Sequence, residues 1–174
     1  MPRRGALTAV LFAGALTVAP AAAQLAQEPS ASAPIPAPQA QAEAPAEVSG
    51  IQKLISDALG LVGIRYRRGG KDAETGFDCS GFVGYLFRER LGLDLPRTSR
   101  DISRAGEPVE KSELEPGDLV FFNTMRRAFS HVGIYLGNNQ FVHSPRSGYT
   151  VRVEDMSDRY WSKRYNGARR VDGR

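Results

Sequence analysis

The sequence predicts an α+β domain in which helices come first and an antiparallel sheet follows. Two observations predict it. Apolar residues recur twice at helical spacing between residues 51 and 87, and short strand-like runs separated by turn signals fill the chain from residue 119 onward. Helices and strands segregated in this way build an α+β domain, whereas a parallel sheet needs them to alternate.

The domain begins after two segments that do not belong to it. Residues 1–23 read as a signal peptide: Arg3 and Arg4 form a positive start, Ala6 to Val18 is an apolar run, and Ala21-Ala22-Ala23 is a small-residue cleavage site. That run is too short to span a bilayer, which takes about twenty residues, so no membrane insertion is expected after cleavage. No cysteine follows it to carry a lipid anchor. Residues 24–46 hold eight Ala and five Pro with few large aliphatics, and read as a disordered, semi-stiff linker. The remaining 47–174 form one domain, placed outside the cytoplasm (periplasmic or secreted).

Within the domain, Ile51, Leu54, Ile55, Ala58, Leu59 and Val62 make the first helical stripe, with Ser49 as N-cap and Gly63 as stop. Tyr66 to Gly76 is rich in glycine and charge and reads as a loop or short strand. Cys79, Phe82, Val83, Leu86 and Phe87 make the second stripe, capped by Asp78. Beyond Pro96, Thr98 or Ser99 caps a short third helix ending at Gly106.

Pro116-Gly117-Asp118 turns the chain into the strand Leu119–Phe122. His131 to Leu136 alternates, and Gly137-Asn138-Asn139 is read as a three-residue hairpin loop into Phe141-Val142-His143. That register pairs Leu136 with Gln140, Tyr135 with Phe141 and Gly133 with His143. His131, Gly133, Tyr135, Phe141 and His143 then share one face. Val132, Ile134, Leu136 and Val142 share the other, which is the core side. Val151–Val153 and Ala168–Val171 are further strands, with an aromatic segment around Tyr160-Trp161 between them.

Composition narrows the chemistry. A chain of 174 residues with one cysteine and two histidines has no intramolecular disulfide framework, no multi-cysteine cluster and no three-histidine metal site. A formal net charge of +4 is too mild to argue for nucleic acid. Cys79 stands at a predicted helix start, where free N–H groups and the macrodipole favour a thiolate. It could equally be a buried cysteine acting as a small hydrophobe. His131 and His143 become diagonal neighbours on the hairpin face, with Gly133 leaving room. Two facing histidines could be half a metal site, but no third-ligand pattern accompanies them. A thiol, an imidazole base and a second imidazole to orient it make a full set for nucleophilic catalysis.

Five blocks stand in order: Asp78-Cys79-Ser80-Gly81-Phe82, Leu95-Pro96-Arg97-Thr98-Ser99, Pro116 to Phe122, His131 to Gly137, and Val142-His143-Ser144. Together they resemble the NlpC family of bacterial cell-wall peptidases, from about residue 50 to the end. The resemblance implies a papain-like fold and a thiol protease without cofactor or metal. Its substrate would be peptidoglycan stem peptides, with the chain acting as a monomer. It implies Cys79 as nucleophile, His131 as general base and acid, and His143 as the residue orienting His131. Tyr66, in Arg65-Tyr66-Arg67-Arg68-Gly69-Gly70, matches a family tyrosine that assists the oxyanion site. Asp78, Ser80 and Arg97 match positions at the substrate pocket, though Asp78 also reads as an N-cap and Arg97 as a loop-holding arginine. Where many relatives carry Gln in the third helix, this chain has Ile102. The bond cut is either D-γ-glutamyl–diamino acid or a D,D cross-link. A wall-binding module with a dead site, or an amidase or acyltransferase of the same fold, would share these features. Thiol alkylation well below pH 8.5 would mark a live site.

Overall fold

The computed structural model describes residues 46–171. The signal peptide and all but the last residue of the linker lie outside the described residues.

Helix α1 spans Ala46–Gly60, followed by a two-stranded hairpin of β1 (Lys71–Asp72) and β2 (Gly76–Phe77). Helix α2 (Cys79–Leu91) and the short α3 (Ser99–Ile102) come next. The second half holds β3 (Glu107–Val109), a 3₁₀ turn at Lys111–Glu113, β4 (Leu119–Phe122), β5 (His131–Gly137), β6 (Gln140–His143), β7 (Arg152–Asp155), α4 (Arg159–Ser162) and β8 (Tyr165–Arg170). The main sheet has six strands in the order β3-β8-β4-β5-β6-β7, and every neighbouring pair is antiparallel. This is the expected α+β domain.

Strict alternation along the central strands explains why both faces of the sheet are covered. Leu119 and Phe121 of β4, Val132 and Ile134 of β5 and Val142 of β6 pack with Leu54 and Ala58 of α1 and Phe82, Val83 and Phe87 of α2. Val120, Phe122, Tyr135 and Phe141 point the other way and pack with Met156, Trp161 and Ala168. The aliphatic face is therefore a core, as expected, but the histidine face is also buried, under Trp161 and Met156. An antiparallel sheet can leave one face to water; this one does not.

Several local expectations need correction. Helix α1 starts at Ala46, so Ser49 lies inside it and is not the N-cap, and the helix ends at Gly60, before Gly63. Leu59 stays exposed at 44%, because α1 contacts the domain along a stripe narrower than its apolar one, and Val62, at 47%, lies in the turn beyond the helix. The third helix stops at Ile102 with Thr98 as its cap. Ile102, which stands where many relatives carry Gln, is fully buried in the core.

The hairpin loop has two residues, not three. Asn138 and Asn139 take φ of 51° and 60°, the left-handed pair that a tight hairpin turn requires, and asparagine tolerates it. Gly137 then pairs with Gln140 and Tyr135 with Phe141, leaving Leu136 as a bulge. The bulge absorbs the difference, so the pairing from Tyr135 inward follows the expected register. The last two strands are displaced by one to three residues from their expected ranges, and β3 carries too little apolar pattern to be read in advance.

Candidate active site

The chain reaches Cys79 through Asp78, whose backbone is held outside the helix at φ −88° and ψ 177°. Its carboxylate accepts from the Gly81 N–H at 2.7 Å, the geometry of an N-cap. It also accepts from the Gly69 N–H at 3.0 Å and pairs with both ends of the Arg97 guanidinium, at 2.6 and 3.1 Å. Arg97 donates further to Ser80 Oγ at 2.8 Å. Asp78, Ser80 and Arg97 thus form one knot that fixes the start of α2 against two loops, with the forked geometry that favours arginine over lysine.

Gly81 makes this closeness possible. A Cβ there would stand 2.0 Å from the Gly70 carbonyl oxygen, so only glycine lets the 66–70 loop lie across the helix start. That loop carries Tyr66 to the side of Cys79, and both line a cleft of about 490 Å³ together with His131. Asp78, Ser80 and Arg97 line its continuation on the other side of Cys79.

The histidines are the first residue of β5 and the last of β6. His131 Nε2 and His143 Nδ1 are 2.6 Å apart with the rings perpendicular at 89°. Gly133 permits this arrangement, since a Cβ there would fall 2.7 Å from the Phe141 ring and 3.2 Å from His143 Cβ. Ser144, next to His143, donates to the Phe77 carbonyl at 2.7 Å and ties the end of β6 to the segment leading into Cys79. His143 is fully buried behind His131. The seven residues expected at the site therefore converge: Tyr66, Cys79 and His131 on the cleft, His143 behind them, and Asp78, Ser80 and Arg97 beside them.

Two residues at this site were not anticipated. Glu154 of β7 lies opposite Phe141, on the same sheet face as the histidines, and its Oε1 is 3.9 Å from His143 Nε2. That nitrogen is buried without a hydrogen-bond partner among the described residues. The Glu154 carboxylate accepts from the Trp161 indole N–H and pairs with Arg152. Trp161 stacks on His131 at 5.8 Å between centroids and meets His143 edge-on at 5.1 Å. The signal available in advance was the alternation Arg152-Val153-Glu154 beside a strand that ends in His143.

Electrostatics oppose one expectation directly. Burial, reinforced by the Asp78 charge, pushes the Cys79 thiol up to about 11, although the N–H groups of Val132, Ser80 and Cys79 pull it down. The helix start does favour the thiolate, but it is outweighed. Burial, with a smaller contribution from His143, holds His131 well below its ordinary value of 6.5, against the Glu154 charge. His143 is also lowered, by burial first, with Arg152 opposing Glu154. Burial would raise Glu154, yet its contacts with His143, Trp161 and Arg152 bring it down to about 2. Tyr66 is raised by burial and by its proximity to Cys79 and Asp78, so its hydroxyl keeps its proton. At neutral pH the site therefore holds a neutral thiol, two neutral imidazoles and a carboxylate.

An α+β domain of this topology, with a cysteine starting a helix beside a histidine pair on the sheet, defines a recognisable class. The model of the NlpC/P60 family matches residues 63–170, and the chain belongs to that family. It is 50% identical over 109 residues to Murein DD-endopeptidase MepS/Murein LD-carboxypeptidase of Escherichia coli (strain K12), covering 63% of this chain and 56% of that protein. It is 45% identical over 113 residues to Murein DD-endopeptidase MepH of the same organism, covering 63% and 42%. The chain thus spans about half the length of these relatives. Among solved structures, an NlpC/P60 family protein from Bacillus cereus ATCC 10987 superposes with a TM-score of 0.66 at 33% identity, covering 70% of this chain and 40% of that one.

Proposed function

We propose that this chain is a murein endopeptidase that hydrolyses amide bonds through a thioester on Cys79. The observation carrying this reading is the 2.6 Å contact between His131 and His143 on the cleft that also holds Cys79 and Tyr66. With Nε2 committed to His143, the His131 Nδ1 is left to serve the thiol. His131 takes the thiol proton as Sγ attacks the amide carbonyl carbon. The oxyanion receives the Tyr66 hydroxyl and the Cys79 N–H. Collapse expels the amine, which takes the proton from His131, and a water deprotonated by His131 then cleaves the thioester. Because the resting thiol is neutral, proton removal accompanies attack.

The base must be neutral and protonated on Nε2, which makes the His143 Nδ1 an acceptor and places a proton on His143 Nε2. Glu154 faces that proton. It is a positioning residue: its charge holds both histidines in the required tautomers and favours the imidazolium formed during reaction. Removing a negative charge lowers the pKa of a neighbouring imidazole. Glu154→Gln should therefore move the acidic limb of the kcat/KM profile to lower pH while reducing kcat on the order of tenfold, less than the loss of a directly orienting carboxylate. A reduced kcat with an unmoved limb would reduce Glu154 to packing.

The bond cut is a D,D cross-link, the specificity for which MepS and MepH are named. Digestion of purified sacculi and mass measurement of the fragments tests this: cross-linked dimers should become monomers with intact stem peptides. Stem peptides shortened at the γ-glutamyl bond would replace that specificity with the other. The chain is read as acting outside the cytoplasm, which the signal-like residues 1–23 support, and as a monomer. No helix among the described residues is long and apolar enough to cross a membrane.

A further inference from the structure

Beyond Arg97 the cleft continues into a second cavity of about 490 Å³, bordered by Arg100, Arg104, Arg127 and Arg169 around Phe129. Arg100, Arg127 and Phe129 also line the space that holds Cys79 and Tyr66, so the two adjoin. No acidic residue borders the second cavity. Arg100 and Arg127 make no side-chain hydrogen bond or ion pair among the described residues. Arg169 donates through Nε to the Ser103 carbonyl at 2.6 Å, and Arg104 approaches Asp101 only at 3.5 Å in an exposed pair.

The cavity is built rather than incidental. Phe129 sits at φ 56°, a region a bulky side chain adopts only when its surroundings impose it. Its N–H donates to Asn166 Oδ1 at 2.9 Å, its carbonyl accepts from Ser99 Oγ at 2.8 Å, and its ring packs edge-on against Phe121 at 5.8 Å. These contacts hold the loop carrying Arg127 opposite α3, which carries Arg100. The guanidiniums of Arg100, Arg127 and Arg169 have no carboxylate partner among the described residues, and an anionic ligand offsets their mutual repulsion.

We infer that this cavity is a carboxylate-binding subsite for the part of an acidic peptide substrate extending beyond the bond at Cys79. It rests on the murein reading above, since a stem peptide lying across Cys79 brings its own free carboxylates into reach. Forked arginine contacts recognise a carboxylate directly, and the adjoining cleft puts a carboxylate of the chain being cut within reach.

The test uses the full chain carrying Cys79→Ala, titrated calorimetrically with a murein tetrapeptide bearing free carboxylates, the same peptide amidated, and polyphosphate. The free peptide should bind about tenfold more tightly than the amidated one at low ionic strength, with the difference shrinking as salt screens it. Adding Arg104→Gln and Arg127→Gln should remove most of that difference while leaving affinity for the amidated peptide unchanged. Equal affinity for both peptides, a difference that survives the double substitution, or a clear preference for polyphosphate would overturn the subsite. The two proposals separate cleanly. Discrimination between the peptides without murein cleavage by the unsubstituted chain defeats the endopeptidase reading alone. Cleavage without discrimination defeats the subsite alone.

Discussion

Replacing His131 with alanine is expected to lower kcat/KM for murein cleavage by about 10³- to 10⁴-fold. The size follows from the thiol. With burial pushing Cys79 up to about 11, the thiol stays protonated at neutral pH without help. A base that removes the proton as the bond forms is therefore needed, and His131 is the base the geometry offers. His131→Gln keeps much of the volume beside Trp161 and separates loss of chemistry from loss of packing. Combining either substitution with Cys79→Ala should cost no more than Cys79→Ala alone, since the two act as one unit. A His131→Gln enzyme within tenfold of the parent, in steady-state kinetics on soluble cross-linked muropeptides, would remove His131 from the mechanism.

Replacing Trp161 with alanine is expected to destabilise the domain by about 3–5 kcal/mol. The indole is 5% exposed and packs on Phe122, Phe141, His131 and His143. Phe122, Phe141, His131 and His143 are strand side chains fixed by the sheet, so they cannot close over the space. The melting temperature should fall by roughly 10–20 °C. Trp161→Phe is the informative companion. It restores most of the packing but not the N–H that holds Glu154, so stability should largely recover while activity stays depressed. Full recovery of both would show that the indole N–H has no part in positioning Glu154.

The sequence made some features legible because their determinants are local. Asp78 and Cys79 could be placed at a helix start because a capping residue directly precedes an apolar stripe. The histidine pair could be placed on one face because strand alternation and a short turn nearly fix the register of β5 against β6. Even there, the turn was one residue shorter than expected, and only the bulge at Leu136 kept the histidines together. Other features depend on what the chain meets elsewhere. Leu59 and Val62 belong to one apolar stripe in the sequence, yet Leu59 is exposed because α1 covers a narrower surface and Val62 because the helix ends before it. Glu154 was hidden because a loop of eight residues, 144–151, separates β6 from β7 and does not fix their register. The sign of the thiol's shift could not be read: the helix start predicts a lowered pKa, while burial, a consequence of tertiary packing, reverses it with the help of the adjacent Asp78 charge. Burial of the histidine face was missed for a related reason. Trp161 and Met156 arrive from beyond the hairpin, and no local pattern announces that they fold back over it.

We assign the chemistry on murein to Cys79. Parallel digestion of purified sacculi by the parent chain and by Cys79→Ala, with released fragments identified by mass spectrometry and circular dichroism recorded for both, tests it most directly. Soluble fragments are expected from the parent, none above background from Cys79→Ala, and superimposable spectra from both. Fragment release by a folded Cys79→Ala protein would contradict it.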